Sequence, residues 1–409
     1  MAVGLTPPGR LLPVAGVRLA AGPAGIRYTD RDDVALMELA PGTRTAAVFT
    51  RNRFRAAPVQ VAEAHLMQTA PRYLLVNAGN ANAGTGPAGV QTAKASCDLV
   101  ARRMGCQPSQ VLPFSTGVIG EPLPLAPFER VMDALARGLD AGRWLDAARA
   151  IMTTDTVPKA ISCVIETADG PVTITGMAKG AGMIRPDMAT MLAFIATDAA
   201  IPGQELRRLL DAGVGASFNA ITVDGDTSTN DACVLMATGA SRVAVERRSA
   251  HWQAFSGELL RVMQWLAQAI VRDAEGATKF VTLHVCAAAT VEEARAVAYT
   301  VAHSPLVKTA FFASDPNWGR ILAAVGRAGV DDLEVERVAL WLEGMQGRRV
   351  CVVRDGALDP AYREREGAAV MAAPEFTVRI ELGRGTASAT VWTSDLSHEY
   401  VRINAEYRS

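Results

Sequence analysis

The sequence is poor in the residues that usually announce a site. Six cysteines, at positions 97, 106, 163, 233, 286 and 351, are spread over 409 residues with no CxxC pair. Scattered among apolar neighbours, they exclude a disulfide framework and imply the reduced, buried thiols of a cytoplasmic protein. Only five histidines occur, and no His/Cys/Asp cluster has metal-ligand spacing, so no metal is expected. The GxSxG elbow, HExxH and the GxxxxGKS/T phosphate loop are all missing. No charge sign dominates: 41 Lys+Arg face 42 Asp+Glu, a net charge of −1, without the basic excess of a nucleic-acid binder. Long hydrophobic runs are missing too. The longest uncharged stretch, Tyr73 to Ala93, contains Asn77, Asn80, Asn82 and four glycines, whose polar groups lipid would leave unpaired. Pro7, Pro8, Arg10, Pro13 and Arg18 interrupt the first twenty residues, so no signal-peptide apolar core is expected there.

What is present is enough apolar sequence for a large core: 49% hydrophobic and 20% charged residues, which excludes a disordered chain. The length suits two or three domains or one large α/β unit. Strand-like runs are Arg72–Ala78, Ile161–Glu166, Met188–Thr197 and Phe280–Cys286. Helical spacing appears over Phe128–Ala141 and Gln204–Gly213. It is clearest over Trp252–Glu275, with Phe255, Leu259, Val262, Leu266 and Ile270 on one stripe. From Arg337 onward the pattern turns β-rich, so the fold class is α/β or α+β.

Two motifs mislead. Gly84-Thr-Gly86-Pro-Ala-Gly89 matches GxGxxG, but Pro87 interrupts it and no acidic residue follows at the ribose-binding distance. It reads as a Gly/Asn turn cluster rather than a dinucleotide site. Val223–Asp231 (VDGDTSTND) imitates a calcium loop, yet Thr229 and Leu235 stand where that loop needs Gly and Glu. A hydrogen-bonded turn, or a loop supporting an active site, accounts for it.

Residues 177–198, MAKGAGMIRPDMATMLAFIATD, run from a Gly-rich, Pro-containing turn into an apolar segment, with Thr190 three residues after Asp187. From residue chemistry alone this is a loop entering a core strand, where threonine is a good β-former. KGAGMIRPDMATML closely resembles the self-cleavage site of the ornithine acetyltransferase family, the glutamate N-acetyltransferases of the cyclic arginine pathway. The resemblance covers essentially the whole chain: NAGNANAG (77–84), STGVIG (115–120), TTDT (153–156), TVDGDTSTND (222–231), DAEGATKF (273–280), SDPNWGR (314–320) and YVRINAEYRS (400–409) follow in family order.

The resemblance implies a layered αββα fold, shared with self-processing aminopeptidases and superficially like the N-terminal-nucleophile hydrolases. It implies cleavage between Ala189 and Thr190 into an α chain, 1–189, and a β chain, 190–409, assembled as an α₂β₂ heterotetramer. Thr190 becomes the nucleophile, and Thr116 with the Gly117 N–H becomes the oxyanion hole. Thr154, Lys179, Thr190, Glu275, Asn404 and Ser409 become the substrate contacts. Lys179 would suit the substrate's α-carboxylate and Glu275 the ornithine ammonium. Ser409 stands where the family is expected to carry Thr, keeping the hydroxyl and losing a methyl. The implied reaction is ping-pong transfer of acetyl from N²-acetyl-L-ornithine to L-glutamate, with no metal or organic cofactor and acetyl-CoA as a possible further donor.

The chemistry is self-consistent. A threonine hydroxyl needs a base, and cleavage before Thr190 frees its own α-amine, whose ordinary pKa of about 7.7–8.0 suits that task. An amidohydrolase or aminopeptidase using the same nucleophile is the nearest alternative. A non-catalytic amino-acid-binding protein, with Thr190 a mere strand residue, is the remaining one.

Overall fold

The computed structural model describes residues 2–185 and 191–406. Ala189, Thr190 and Ser409 lie outside the described residues. Among the described residues three sheets form. The first has the order β1 (Val17–Gly22), β2 (Val34–Leu39), β4 (Tyr73–Asn80), β5 (Val111–Val118). The second has the order β3 (Arg44–Phe49), β10 (Ala232–Ala237), β8 (Leu192–Thr197), β7 (Gly170–Lys179), β6 (Lys159–Thr167).

These two sheets pack face to face. Met37, Leu74, Val76 and Phe114 of the first meet Met177, Phe194, Val234 and Met236 of the second in one core. The rings of Phe114 and Phe194 cross edge-to-face at 5.1 Å, a geometry the ring quadrupoles favour. Strands β8 and β10 read as unbroken apolar runs because both of their faces are covered. On the far side of the first sheet lie α2 (Gly86–Met104) and α3 (Ala126–Arg137), with α1 (Ala57–Gln68) beside them. On the far side of the second lie α5 (Gly203–Gly215) and α6 (Trp252–Arg272). A shorter helix, α4 (Trp144–Ala150), closes the space between the sheets. The result is the expected αββα layering.

The β-rich last third builds a separate core. Its sheet runs β14 (Ala357–Leu358), β13 (Arg349–Arg354), β12 (Ala339–Glu343), β15 (Glu375–Glu381), β11 (Phe280–Ala288), β16 (Ala387–Ser394), β9 (Ile221–Thr222). One face packs on α7 (Val291–Ala302), α8 (Pro305–Phe312), α9 (Trp318–Gly326) and α10 (Glu364–Met371). Burial accordingly alternates along β12 and β15, as in a sheet covered on one face only. The chain ends in α11 (His398–Ala405).

The helices match their sequence patterns except at the ends. The stripe from Trp252 stops at Arg272, not Glu275, because Asp273 leaves helical geometry and Gly276 adopts φ +68°. Glu275 therefore sits in the turn after the helix, not on it. The strand expected from Met188 begins at Leu192 among the described residues. No helix of the described residues is long and apolar enough to cross a membrane.

Candidate active site

The ends of β5 and β7, the turn after α6 and the helix α11 converge on one cavity of about 260 Å³, small by the standard of ligand pockets. It brings together Thr116, Gly117, Thr154, Lys179, Glu275 and Asn404, six residues that the sequence pointed to. Met191, to which Thr190 is bonded, lines the same cavity.

Strand β5 ends against β4 with a register irregularity at Gly79 and Asn80, where Asn80 pairs with both Thr116 and Val118. The backbones are so close that a Cβ on Gly117, which has φ +134°, would stand 2.2 Å from the Gly79 carbonyl carbon. Only glycine fits. From the opposite sheet, Lys179 Nζ donates to Thr116 Oγ1 at 3.2 Å and to Thr153 Oγ1 at 2.8 Å. Because its oxygen accepts from an ammonium, the Thr116 hydroxyl is left to donate its proton elsewhere, which suits a donor to a developing oxyanion.

Lys179 is not a solvated loop lysine. It is buried, and burial pushes its pKa down against the attraction of Asp155. Asp155 lies 3.8 Å from Lys179 Nζ and accepts the Gly180 N–H at 2.7 Å. Fully buried Lys159 donates to Asp155 Oδ1 at 2.7 Å and to Asp273 Oδ2 at 2.6 Å. Burial opposes the charge on Asp155, yet Lys159 and Lys179 hold its carboxyl below the ordinary value. Lys159 is held above its own ordinary value by its two carboxylates, again against burial. Asp273 also accepts the Thr156 N–H and hydroxyl. An acid at a helix C-terminus is disfavoured by the macrodipole; here the Lys159 cation compensates it.

Glu275 and Asn404 meet in the cavity, Asn404 Nδ2 donating to Glu275 Oε2 at 2.7 Å. The carboxylate lies over Gly182, where a Cβ would be 2.4 Å from Oε2. Asn404 belongs to α11 rather than to a frayed tail. Ser397 caps that helix and donates to the Gly276 carbonyl at 2.6 Å, tying it to the Glu275 turn.

Residues 222–231 join both earlier readings of that loop. Asp224 accepts the N–H groups of Met183 and Ile184 at 2.6 and 2.9 Å, fixing the turn that follows β7. Asn230 Nδ2 donates to the carbonyls of Ala81 and Ser115 at 2.6 and 2.8 Å, and thereby holds β5 next to Thr116. Sequence reasoning singled out neither Asp155, Lys159 and Asp273 nor Asp224, Asn230 and Asp231. For all but Lys159, which lies three residues past TTDT, the positions within TTDT, DAEGATKF and TVDGDTSTND were the available signal. Among the described residues no group of three or more His, Cys, Asp or Glu could hold a metal ion.

The ArgJ family model matches residues 18–409. The chain is similar to the arginine biosynthesis bifunctional protein ArgJ of Methylococcus capsulatus, 58% identical over 98% of this chain and 97% of that protein. It is also similar to the protein of the same description from Pseudomonas syringae pv. tomato, 52% identical over the full length of both. Among solved structures, the arginine biosynthesis bifunctional protein of Bacillus halodurans is 35% identical over 51% of this chain and 96% of its own, with a TM-score of 0.48. Mycobacterium tuberculosis ornithine acetyltransferase complexed with ornithine is 37% identical over 43% and 94%, with a TM-score of 0.40. The extent of the family match and the identity to full-length relatives lead to one conclusion: the chain belongs to the ArgJ family.

Proposed function

We propose that Thr190 is the nucleophile with which this acyltransferase of arginine biosynthesis moves acetyl from N²-acetyl-L-ornithine to L-glutamate, releasing ornithine and N-acetylglutamate. The observation that carries the site assignment is the joint position of Thr116, Gly117 and Met191 on one cavity wall. Met191 is the residue that follows Thr190 in the chain.

Maturation comes first. The Thr190 hydroxyl attacks the Ala189 carbonyl, and the C–N bond gives way to an ester that water hydrolyses. The chain becomes an α part, 1–189, and a β part, 190–409, assembled as α₂β₂. The freed α-amine then takes the hydroxyl proton as Thr190 attacks the acetyl group. Negative charge developing on the carbonyl oxygen is stabilised by the Thr116 hydroxyl and the Gly117 N–H. Ornithine leaves with the proton from the amine, and glutamate enters the same pocket to accept acetyl. Glu275, held by Asn404, meets the substrate ammonium; Thr154 and Ser409 supply further hydrogen bonds. Lys179, already engaged with Thr116 and Thr153, acts chiefly on the oxyanion side. No metal or organic cofactor enters the cycle. Acetyl-CoA is the second donor in the amino-acid N-acetyltransferase activity. The reaction is placed in the cytoplasm.

Thr190→Ala should purify as one uncut chain with no transferase activity. Normal transfer by that variant would remove Thr190 as nucleophile. Acetyl release without glutamate, as fast as transfer with it, would instead point to a hydrolase.

A further inference from the structure

The cavity of about 260 Å³ lies below the ordinary range of ligand pockets and cannot enclose the whole of acetyl-CoA. The nucleotide half of that donor, an adenine carrying several phosphates, therefore lies outside it. Such a group needs cations for its phosphates and an aromatic face for its base. The segment that joins β3 to α1 offers both.

Residues 50–55 read TRNRFR, and Arg51, Arg53, Phe54 and Arg55 are all exposed. Phe54 keeps 59% of its surface open to solvent, an unusual place for a phenyl ring. The turn is held in shape: Asn52 Oδ1 accepts the Phe54 N–H at 2.9 Å, and Thr50 Oγ1 accepts the Asn52 N–H at 3.1 Å. Arg55 pairs with Glu63 at 2.7 Å, whereas Arg53 has no partner among the described residues. Arg53, Phe54 and Arg55 line a groove of about 540 Å³ together with Gly84, Gly86 and Pro87. A Cβ on Gly84 would stand 3.2 Å from the tip of the Phe54 ring, so a larger residue there would push the ring aside.

Hydrogen bonds join both walls of this groove to the catalytic cavity. Thr50 Oγ1 donates to the Ser228 carbonyl at 2.8 Å and Asn52 Nδ2 to the Thr227 carbonyl at 2.9 Å; Ser228 lines the cavity. From the other wall, the Ala83 carbonyl accepts the Gly120 N–H at 2.9 Å, and Gly117, Val118 and Ile119 line the cavity. Gly117 and Gly120 are at most about 11 Å apart along the chain, a span that an extended phosphopantetheine arm covers. Where α11 borders the cavity the charge has the other sign, with Asp224, Glu275 and Asp226 around Tyr400. A cationic amino acid is drawn to that end and a phosphate-rich nucleotide to the arginines.

We propose that the groove between residues 51–55 and 84–87 binds the phosphorylated adenosine of acetyl-CoA; this rests on the reading of acetyl-CoA as second donor. Arg53 bonds phosphate, Arg51 and Arg55 add positive charge, and Phe54 stacks on the adenine. The pantetheine arm passes over Ile119 and Gly120 into the cavity. N²-acetyl-L-ornithine carries no phosphate and does not use the groove. The two donors share one cavity and differ in their outer contacts.

The test compares Arg53→Ala and Phe54→Ala with the wild type, with glutamate as acceptor and three donors. These are acetyl-CoA, N²-acetyl-L-ornithine and the short thioester S-acetyl-N-acetylcysteamine, which lacks the nucleotide. The KM for acetyl-CoA should rise about tenfold in each variant, the scale of one lost charge-assisted hydrogen bond or one lost base stack. Kinetics with the other two donors should stay within about twofold of wild type. By calorimetry, CoA should bind Arg53→Ala about tenfold more weakly than wild type, and added salt should weaken wild-type binding. An unchanged acetyl-CoA KM in both variants overturns the proposal. So does an equal loss with all three donors, which would make these residues structural. A wild type that uses acetylornithine but not acetyl-CoA instead refutes the second-donor reading itself.

Discussion

Gly117 is glycine for steric reasons before chemical ones. Its φ of +134° and the 2.2 Å separation that a Cβ would have from Gly79 leave no room for a side chain, and the obstacle is backbone, which cannot swing aside. Gly117→Ala must part β4 from β5 and move the N–H assigned here to the oxyanion hole. Its kcat should fall about 10²–10³-fold, the usual cost of losing one oxyanion donor, with KM changing less. Steady-state kinetics check this, and a kcat within about twofold of wild type would remove Gly117 from that role. The neighbouring hydroxyl is prepared differently, by Lys179 donating to Thr116 Oγ1. Thr116, Gly117, Thr154, Lys179, Glu275 and Asn404 were legible in the sequence because each sits inside a long motif of the family. Lys179 as a hydroxyl-orienting residue was not, since its partners Thr116 and Thr153 lie 63 and 26 residues away.

At the scale of elements, the site depends on how β6, β7 and α6 are pinned together. Lys159 starts β6 and joins Asp155, in the turn before it, to Asp273 at the end of α6, across 114 residues. Asp155 passes the constraint on to Gly180 and Lys179. Lys159→Met would fill the space but strand two buried carboxylates. Denaturant unfolding should show a loss of about 3–5 kcal/mol, as for a broken buried ion pair; a loss below about 1 kcal/mol would contradict the account. The pH dependence follows from the shifts. The folded Asp155 carboxyl lies below its ordinary 3.8, so its contribution is complete above that value. It declines as the pH falls further and vanishes below the folded value. The raised pKa of Lys159 works the other way: its contribution is complete below 10.5 and is lost as the pH rises through the folded value. The helix α6 was legible from its apolar stripe. Its end was not, because Asp273 there looks unfavourable until a lysine 114 residues away is placed beside it.

Over the whole molecule, two apolar sheets face one another under helical layers, and a second sheet unit with its own core adjoins them. The alternation of strands and helices made an α/β class legible. Composition could not separate the two cores, because no linker of distinctive composition divides them. The cavity forms where β5, β7, the α6 turn and α11 meet. Residues from both sides of position 190 therefore build one wall, so cleavage there should leave two chains that stay together. That leads to the central claim, that Thr190 becomes a chain terminus. The direct measurement is the intact mass of the purified protein under denaturing conditions, with N-terminal sequencing of any fragments. Scaling 43.2 kDa by length, the account predicts pieces of roughly 20 and 23 kDa, the larger beginning Thr-Met-Leu-Ala-Phe. A single uncut chain with full transferase activity would contradict it.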